Sequence, residues 1–394
     1  MLKQVFDREQ LSKALTSSDV WQWNLLSDYD DVEDAVEHTV RYWKTHKLTL
    51  SSLETKTIKS KSVLFPLIME DAFAIKLLDR FIRRIYKVRQ SDRNRIVRQI
   101  ITLLEDTGSY HVLRLDIKNC YESIPFEFLI NKFKDDSILA PVCINLLDEI
   151  HTELYLEHGI EGLPRGLSIS PTLAELYLER LDQKIAAHPN VIYSARYVDD
   201  IIVFTSAGKE SVVQTDIEDY MNKEMGLTLN DHTNKYFSGP SSSANFDYLG
   251  YEIKVEEKNK KPNQVNVKIS RSKLNKLKRR IMLCFLGNKK QNNIPLLKRR
   301  LEYLCMLKSV RKSKNGDLLA GLSHNYQYVT DDFECLKPID GFLCQQLVNP
   351  RFALNLQEQD KIKKVSIYGN VKKGNVGKFS KKQTVKIMRV WQNA

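Results

Sequence analysis

The sequence predicts an α+β fold, a sheet with helices on one face. Two observations predict it. The apolar period changes along the chain, from the helical spacing of "FAIKLLDRFIRRIYKV" to the strict alternation of "HVLRLDI". The order from 111 to 255 then reads strand, helix, strand, helix, strand.

Residues 1–100 read as mainly helical. "SDRNRIVRQIITLLED" opens with Ser91 and Asp92, which suit N-caps, and continues as an amphipathic helix. "HVLRLDI" follows as a half-buried strand. Leu113, Leu115 and Ile117 share one face; Val112, Arg114 and Asp116 share the other. "SPTLAELYLERLDQKIAAH" returns to helix, with Ser170 as cap, Pro171 in the first turn and an apolar stripe of Leu173, Leu176, Tyr177, Leu181 and Ile185. "RYVDDIIVF" (196–204) reads as a buried strand or hairpin. "ESVVQTDIEDYMNKEMG" is a helix with Val213, Ile217, Met221 and Met225 four apart, ended by Gly226. "SGPSSSAN" (238–245) reads as a loop, and "FDYLGYEIKV" as a strand pair turning near Gly250.

The chain has 394 residues, 42% of them apolar, enough for two or three packed subdomains. The formal net charge is +12, which favours an anionic partner, nucleic acid or a membrane surface. The start "MLKQVFDREQ" lacks an apolar leader core, and no apolar run approaches the ~20 residues of a membrane span. A cytoplasmic location without membrane association is expected. The six cysteines form no CxxC pair, so zinc and disulfides are not expected. Residues 271–300 carry eleven Lys or Arg and no acid, and residues 361–394 carry ten and no acid. A charge run is ordinarily a solvated face, but thirty residues without one carboxylate are unusual for that. The first stretch reads as a basic helical region that contacts nucleic acid, the second as an extended or flexible one.

Asp199 and Asp200 put two carboxylates between apolar runs. Buried carboxylates are costly unless paired or metal-bound. Mg²⁺ takes oxygen ligands and is held by one or two carboxylates plus substrate phosphates. Two such ions ~3.5–4 Å apart clamp the attacking and leaving oxygens of a phosphoryl displacement. The third carboxylate is Asp116. If its strand neighbours the Asp-Asp strand, Asp116 and Asp199 project together.

Four blocks, in order, resemble reverse transcriptases: "RLDIKNCYESIP" (114–125), "GLPRGLSISPTLAELYL" (162–178), "YVDD" (197–200) and "FDYLGYEI" (246–253). The resemblance covers about 85–310. It implies a right-hand polymerase. Fingers and an N-terminal region would occupy 1–110, a palm with an antiparallel sheet 111–258 (162–178 at its junction with the fingers), a basic helical thumb 259–330, and a basic extension 331–394. It implies Asp116, Asp199 and Asp200, with the backbone of Ile117, as ligands of two Mg²⁺ ions (Mn²⁺ can substitute). Tyr121 would abut the sugar 2′ position and favour deoxynucleotides. Arg165 and Gly166 would lie over the incoming nucleotide. Many relatives carry Gln where Arg165 stands; a guanidinium there can hold a phosphate or a base edge. "GLTLNDHTNKYF" (226–237) resembles the next block, with Lys235 as proton donor to the departing pyrophosphate. Arg95 and Arg98 are the candidate triphosphate contacts. Tyr248, Leu249 and Gly250 would grip the primer, and Arg271, Lys273, Lys278, Arg279 and Arg280 would hold nucleic acid.

No ribonuclease H, integrase or endonuclease pattern is present. "LPRGLSIS" and "GLSHNYQYVTDDFECLKPIDGFL" resemble bacterial abortive-infection and defence-associated members, relatives of the retron enzymes. That implies dNTPs, a template RNA (a dedicated non-coding RNA), a DNA product, an antiviral role, and a partner protein or oligomer. Tyr326, Tyr328 and Tyr368 stand where a protein primer could lie, though each also reads as a packing or base-stacking group. Asp135-Asp136 and Asp331-Asp332 have no matching context and read as surface loops. Three rivals remain: an RNA polymerase, which Tyr121 opposes; template-independent or protein-primed synthesis at the same site; and a non-catalytic RNA-binding scaffold, which the three carboxylates oppose.

Overall fold

The computed structural model describes residues 3–58, 61–256, 262–311 and 318–391. By packing it divides into two units. One comprises Met1–Asp92 and His111–Ser238, the other Arg93–Tyr110 and Gly239–Ala394. The helix Arg93–Glu105 therefore groups with the C-terminal part of the chain rather than with the rest of 1–110.

The first unit contains two antiparallel hairpins. Strands β1 (Leu53–Ile58) and β2 (Lys61–Pro66) pair in register from Leu53↔Pro66 to Ile58↔Lys61. The sequence reading, mainly helical here, missed this hairpin because β1 is exposed beyond Leu53 and "LETKTI" has no apolar alternation. The central sheet joins β3 (Tyr110–Asp116), β4 (Val191–Tyr197), β5 (Asp200–Ser206) and β6 (Phe237–Pro240) in the order β4-β5-β3-β6. Strand β3 is not half-buried as expected; every residue from Val112 to Asp116 is buried. Leu113, Leu115 and Ile117 join Ile201 and Val203 in one apolar cluster with the helices Met69–Ile85, Phe126–Asp136, Pro141–His158, Ser170–Ala186 and Glu210–Met225.

Several local expectations are corrected. The helices Phe126–Asp136 and Pro141–His158 lie between β3 and the Ser170–Ala186 helix, so that link is longer than a single helix. Asp135 and Asp136 end the first of them rather than lying in a loop. Ile169 occupies the cap position of the Ser170 helix; Ser170 is its first residue, and its Oγ is buried without a partner. The 238–245 segment is a strand end and a 3-10 turn, Ser241–Ser243, because three serines after a proline suit a tight turn better than an open loop.

In the second unit β7 (Asn245–Tyr248), β8 (Tyr251–Glu256) and β9 (Gln264–Ile269) form an antiparallel sheet. The helix Arg93–Glu105 buries Ile96, Val97, Ile100 and Leu104. Asn263 Nδ2 donates to Leu104 O at 3.1 Å and Asp106 O at 3.0 Å, satisfying carbonyls at that helix end. The basic stretch is helical as predicted, Arg271–Gln291 and Ile294–Cys305, around Leu277, Ile281, Phe285, Leu297 and Leu301. The C-terminal stretch is not extended. It forms helices Ile367–Lys372 and Lys381–Met388, and Phe379 packs edge-on against Tyr303 at 5.0 Å. Among the described residues no helix is long and apolar enough to cross a membrane.

Candidate active site

The site is built on β3 and the β4–β5 hairpin. Tyr197 pairs with Asp200, so Val198 and Asp199 alone form the turn. Two-residue hairpins need positive φ, and Val198 takes φ 60°. A β-branched residue there is strained by about 1–3 kcal/mol, so the surroundings must hold it. Two contacts do. Ile117 N donates to Asp199 O at 3.0 Å, and Arg196 Nη1 donates to Val198 O at 2.9 Å.

The result brings Asp116, Asp199 and Asp200 together, one oxygen of each within 4.8 Å of the others. Asp116 is 2% exposed. Its Oδ1 accepts from Asn230 Nδ2 at 2.9 Å and its Oδ2 from Lys235 Nζ at 2.6 Å. Asp200 Oδ1 accepts from Arg114 Nη2 at 3.3 Å, and Arg114 Nη1 is anchored on Asn234 O at 2.9 Å. Burial pushes the Asp200 carboxyl above its ordinary range; Arg114 opposes this and Asp199 adds to it. Burial alone would depress the Lys235 ammonium, but the Asp116 hydrogen bond and charge, with Asp200 and Asp199 behind, raise it instead. Three convergent carboxylates with only oxygen donors fit a hard divalent cation, and the chain's own cations partly offset them.

Arg196 was not singled out from the sequence. The residue is 5% exposed, and its guanidinium reaches Asp182 at 2.7 and 2.9 Å and Glu175 at 2.8 Å, both on the Ser170–Ala186 helix. Burial works against its charge, and Asp182 and Glu175 more than offset that. Arg114 was legible, since it shares a strand face with Asp116 two residues away. Asn230 carried no such signal.

Tyr121 is half-buried beside the site, and burial raises its phenol. Arg165 lies over its ring at 5.3 Å and makes a two-pronged pair with Glu122, at 2.6 and 3.0 Å. That pair gives the unexpected arginine a fixed position. Gly166 has φ +106°, and a Cβ there would stand 2.1 Å from Leu64 O. Only glycine lets this loop close on β2, where Leu64 N donates to Arg165 O at 2.7 Å. Cys120, buried beside Asp199, has its thiol pushed up to about 12 and is inert.

The remaining predicted residues lie in the second unit. Arg95 and Arg98 stand exposed on the Arg93–Glu105 helix. Leu249 and Gly250 form a two-residue turn with φ 47° and 84°. Tyr248, 1% exposed, is a core group, so its side chain does not serve as a nucleic-acid contact. Arg93, which the sequence reading left aside, donates to Leu249 O at 3.0 and 2.6 Å and to Asn325 O at 2.6 Å, and lies over Tyr251 and Tyr326. Arg271, Lys273 and Arg279 are exposed along their helix; Lys278 and Arg280 are half-buried. Tyr326 is 8% exposed and packs on Tyr251.

An antiparallel sheet carrying three convergent carboxylates beside a covering layer of helices is the palm of a right-hand polymerase. Residues 39–253, more than half of the chain, match the family described as reverse transcriptase (RNA-dependent DNA polymerase), and the chain belongs to that family. It is 38% identical over 74 residues to a Schizosaccharomyces pombe protein described as an uncharacterized 91 kDa protein in cob intron, a match covering 18% of this chain and 9% of that one. It is also similar to a structure of apo telomerase from Candida tropicalis truncated from its C-terminal domain, with TM-score 0.39 and 14% identity over 57% of this chain and 55% of that one.

Proposed function

We propose that the chain is an RNA-directed DNA polymerase that joins dNTPs to a growing DNA strand at Asp116, Asp199 and Asp200. The observation that carries this is the convergence of those three carboxylates within 4.8 Å. Asp116 and Asp199 would hold two divalent ions, Mg²⁺ or Mn²⁺, with Asp200 and the Ile117 carbonyl alongside. The chemistry such ions supply when bound is charge stabilisation of the attacking and leaving oxygens. Lys235 pairs with Asp116 at 2.6 Å and would donate a proton as pyrophosphate departs. Tyr121 would exclude a 2′-hydroxyl, with Arg165 fixed over its ring by Glu122. Gly166 keeps the loop above it close to β2, while Arg95 and Arg98 remain candidates for the triphosphate. The Leu249–Gly250 turn would support the primer, and Arg271, Lys273, Lys278, Arg279 and Arg280 would bind template and product backbones.

The template is read as a dedicated non-coding RNA and the setting as bacterial antiviral defence. The resemblance of 163–170 and 321–343 to abortive-infection members supports that reading. The test is to sequence nucleic acid that copurifies with the wild type and with Asp199→Asn. A defined RNA in both, with complementary DNA only in the wild type, is the expected result. Repeat or homopolymer DNA without a matching RNA would favour untemplated synthesis. RNA in both, with no primer extension by purified wild type supplied with Mg²⁺ and dNTPs, would favour the scaffold.

A further inference from the structure

After the Glu210–Met225 helix the chain returns along the C-terminal end of β3. Lys118 N donates to Thr228 O at 2.9 Å and Asn230 N to Asp116 O at 2.8 Å, on either side of an antiparallel bridge between Ile117 and Leu229. Leu227, fully buried, anchors this segment. Backbone pairing thus sets Asn230 beside Asp116 before the side chains come into play.

The side chains then meet. Asn230 Nδ2 donates to Asp116 Oδ1 at 2.9 Å. The amide has one workable orientation, because His232 N, which can only donate, lies 3.2 Å from Asn230 Oδ1. The second carboxylate oxygen, Oδ2, accepts from Lys235 Nζ at 2.6 Å. These two donors differ in kind. The Lys235 side chain is 37% exposed on a flexible four-carbon stem and is free to leave. Asn230 is short and tied at both ends of its amide, so it stays. It also brings no charge. A third cation beside Lys235 and Arg114 would weaken the pull of the carboxylates on a divalent ion; a neutral donor orients Asp116 and leaves its charge in place.

A cleft of ≈ 400 Å³ opens on this side of Asp116, with Gln214, Glu218, Asn230, Asp231 and Tyr236 among its walls. Water takes about 30 Å³ per molecule, so there is room for several. Without the Asn230 amide, Asp116 Oδ1 would face that water and the Glu218 and Asp231 carboxylates, and the carboxyl group would be free to turn. Gln214 is no substitute. Its Nε2 donates to Glu218 at 2.8 Å and its Oε1 accepts from Tyr236 at 2.9 Å.

We propose that Asn230 is a positioning residue for Asp116: its amide fixes the orientation of that carboxylate and thereby sets the affinity of the site for a divalent cation. This rests on the reading of Asp116, Asp199 and Asp200 as the metal site and adds to it a residue outside the three carboxylates.

The test reads Mn²⁺ binding to the full chain, without nucleotide or primer, from the loss of the free-ion EPR signal, beside Mg²⁺ titrations of primer extension. Asn230→Ala should weaken Mn²⁺ binding about tenfold. It should raise the half-saturating Mg²⁺ concentration by a similar factor, with the rate at saturating Mg²⁺ within about threefold of wild type. Asn230→Leu, close in volume but without the donor, should behave as the alanine variant does. Asn230→His, which keeps a ring N–H at similar reach, should retain most of the affinity. Melting temperatures near that of wild type would show that the variants fold. Unchanged Mn²⁺ affinity in the alanine and leucine variants would overturn the proposal and leave the metal site standing. A rate that saturating Mg²⁺ does not restore would also overturn it, since the loss would then lie in folding or chemistry. A wild type that binds no Mn²⁺ and extends no primer would overturn the metal reading itself, and this role of Asn230 with it.

Discussion

Replacing Arg196 by methionine tests how the Asp199 turn is held. The side chain is 3% exposed and contacts Glu175, which is 10% exposed, and Asp182, which is 42% exposed. Losing the guanidinium leaves Asp182 solvated at little cost. It leaves Glu175 buried without its cation, and removing one partner of a buried pair costs about 3–5 kcal/mol. The Val198 carbonyl also loses its donor, about 1–3 kcal/mol if water does not replace it. Because Glu175 can turn partly toward solvent, about 3–4 kcal/mol is expected. That is a large share of the ~5–15 kcal/mol typical of a domain, yet compatible with folding. Urea unfolding of the full chain, followed by tryptophan fluorescence, measures it. The double variant Arg196→Met/Glu175→Gln should recover about half, since no charge is then stranded. Primer extension should stay low in both, because the Val198 carbonyl is unpaired in both and the strained turn is free to relax. A loss under about 1 kcal/mol, or recovered synthesis in the double variant, would refute this account.

Three other perturbations have defined outcomes. Tyr121→Val should lower discrimination against ribonucleotides by about 10–100-fold in single-turnover incorporation, and unchanged discrimination would remove the tyrosine from that role. Asp71, 3% exposed and accepting from Ser51 N at 3.0 Å, has its carboxyl raised from 3.8 to about 6 by burial. The native state thus holds that proton more tightly than the unfolded chain. The associated stability is complete below pH 3.8 and is lost as pH rises through about 6, a total of about 3 kcal/mol. Asp71→Asn should therefore flatten the difference in urea midpoints between pH 4 and 7; an unchanged profile would place the titration elsewhere. Finally, if about four cations of the Arg271–Gln291 helix contact phosphates, log affinity should fall with log salt at a slope of about −3 to −4, and the triple variant Arg271→Ala/Lys273→Ala/Arg279→Ala should flatten it.

The local elements with undisturbed periodicity, and the spacing of the chemistry, were legible in the order of residues alone. Alternation placed Asp116 and Arg114 on one face of β3, and the apolar run after "VDD" made the buried strand β5, though its hairpin partner β4 is mostly half-buried. Val213, Ile217, Met221 and Met225 fell on one helix face, and all four are buried. These signals are legible because side-chain direction follows backbone geometry within a few residues. Where the pattern was weak, the reading failed. The β1–β2 hairpin is mostly exposed, and the cationic stretch is helical over Ile367–Lys372 and Lys381–Met388, with Phe379 packed against Tyr303. Which partner each cation meets was set by packing. Arg196 reaches Glu175 and Asp182, Arg165 reaches Glu122, Lys235 reaches Asp116, and Arg93 reaches Leu249 across 156 positions. Such pairings depend on how elements pack, which no local propensity encodes. The two-residue turn at Asp199 is cut by the local sequence, but it is held by Ile117 and Arg196, whose positions the packed sheet and helix set.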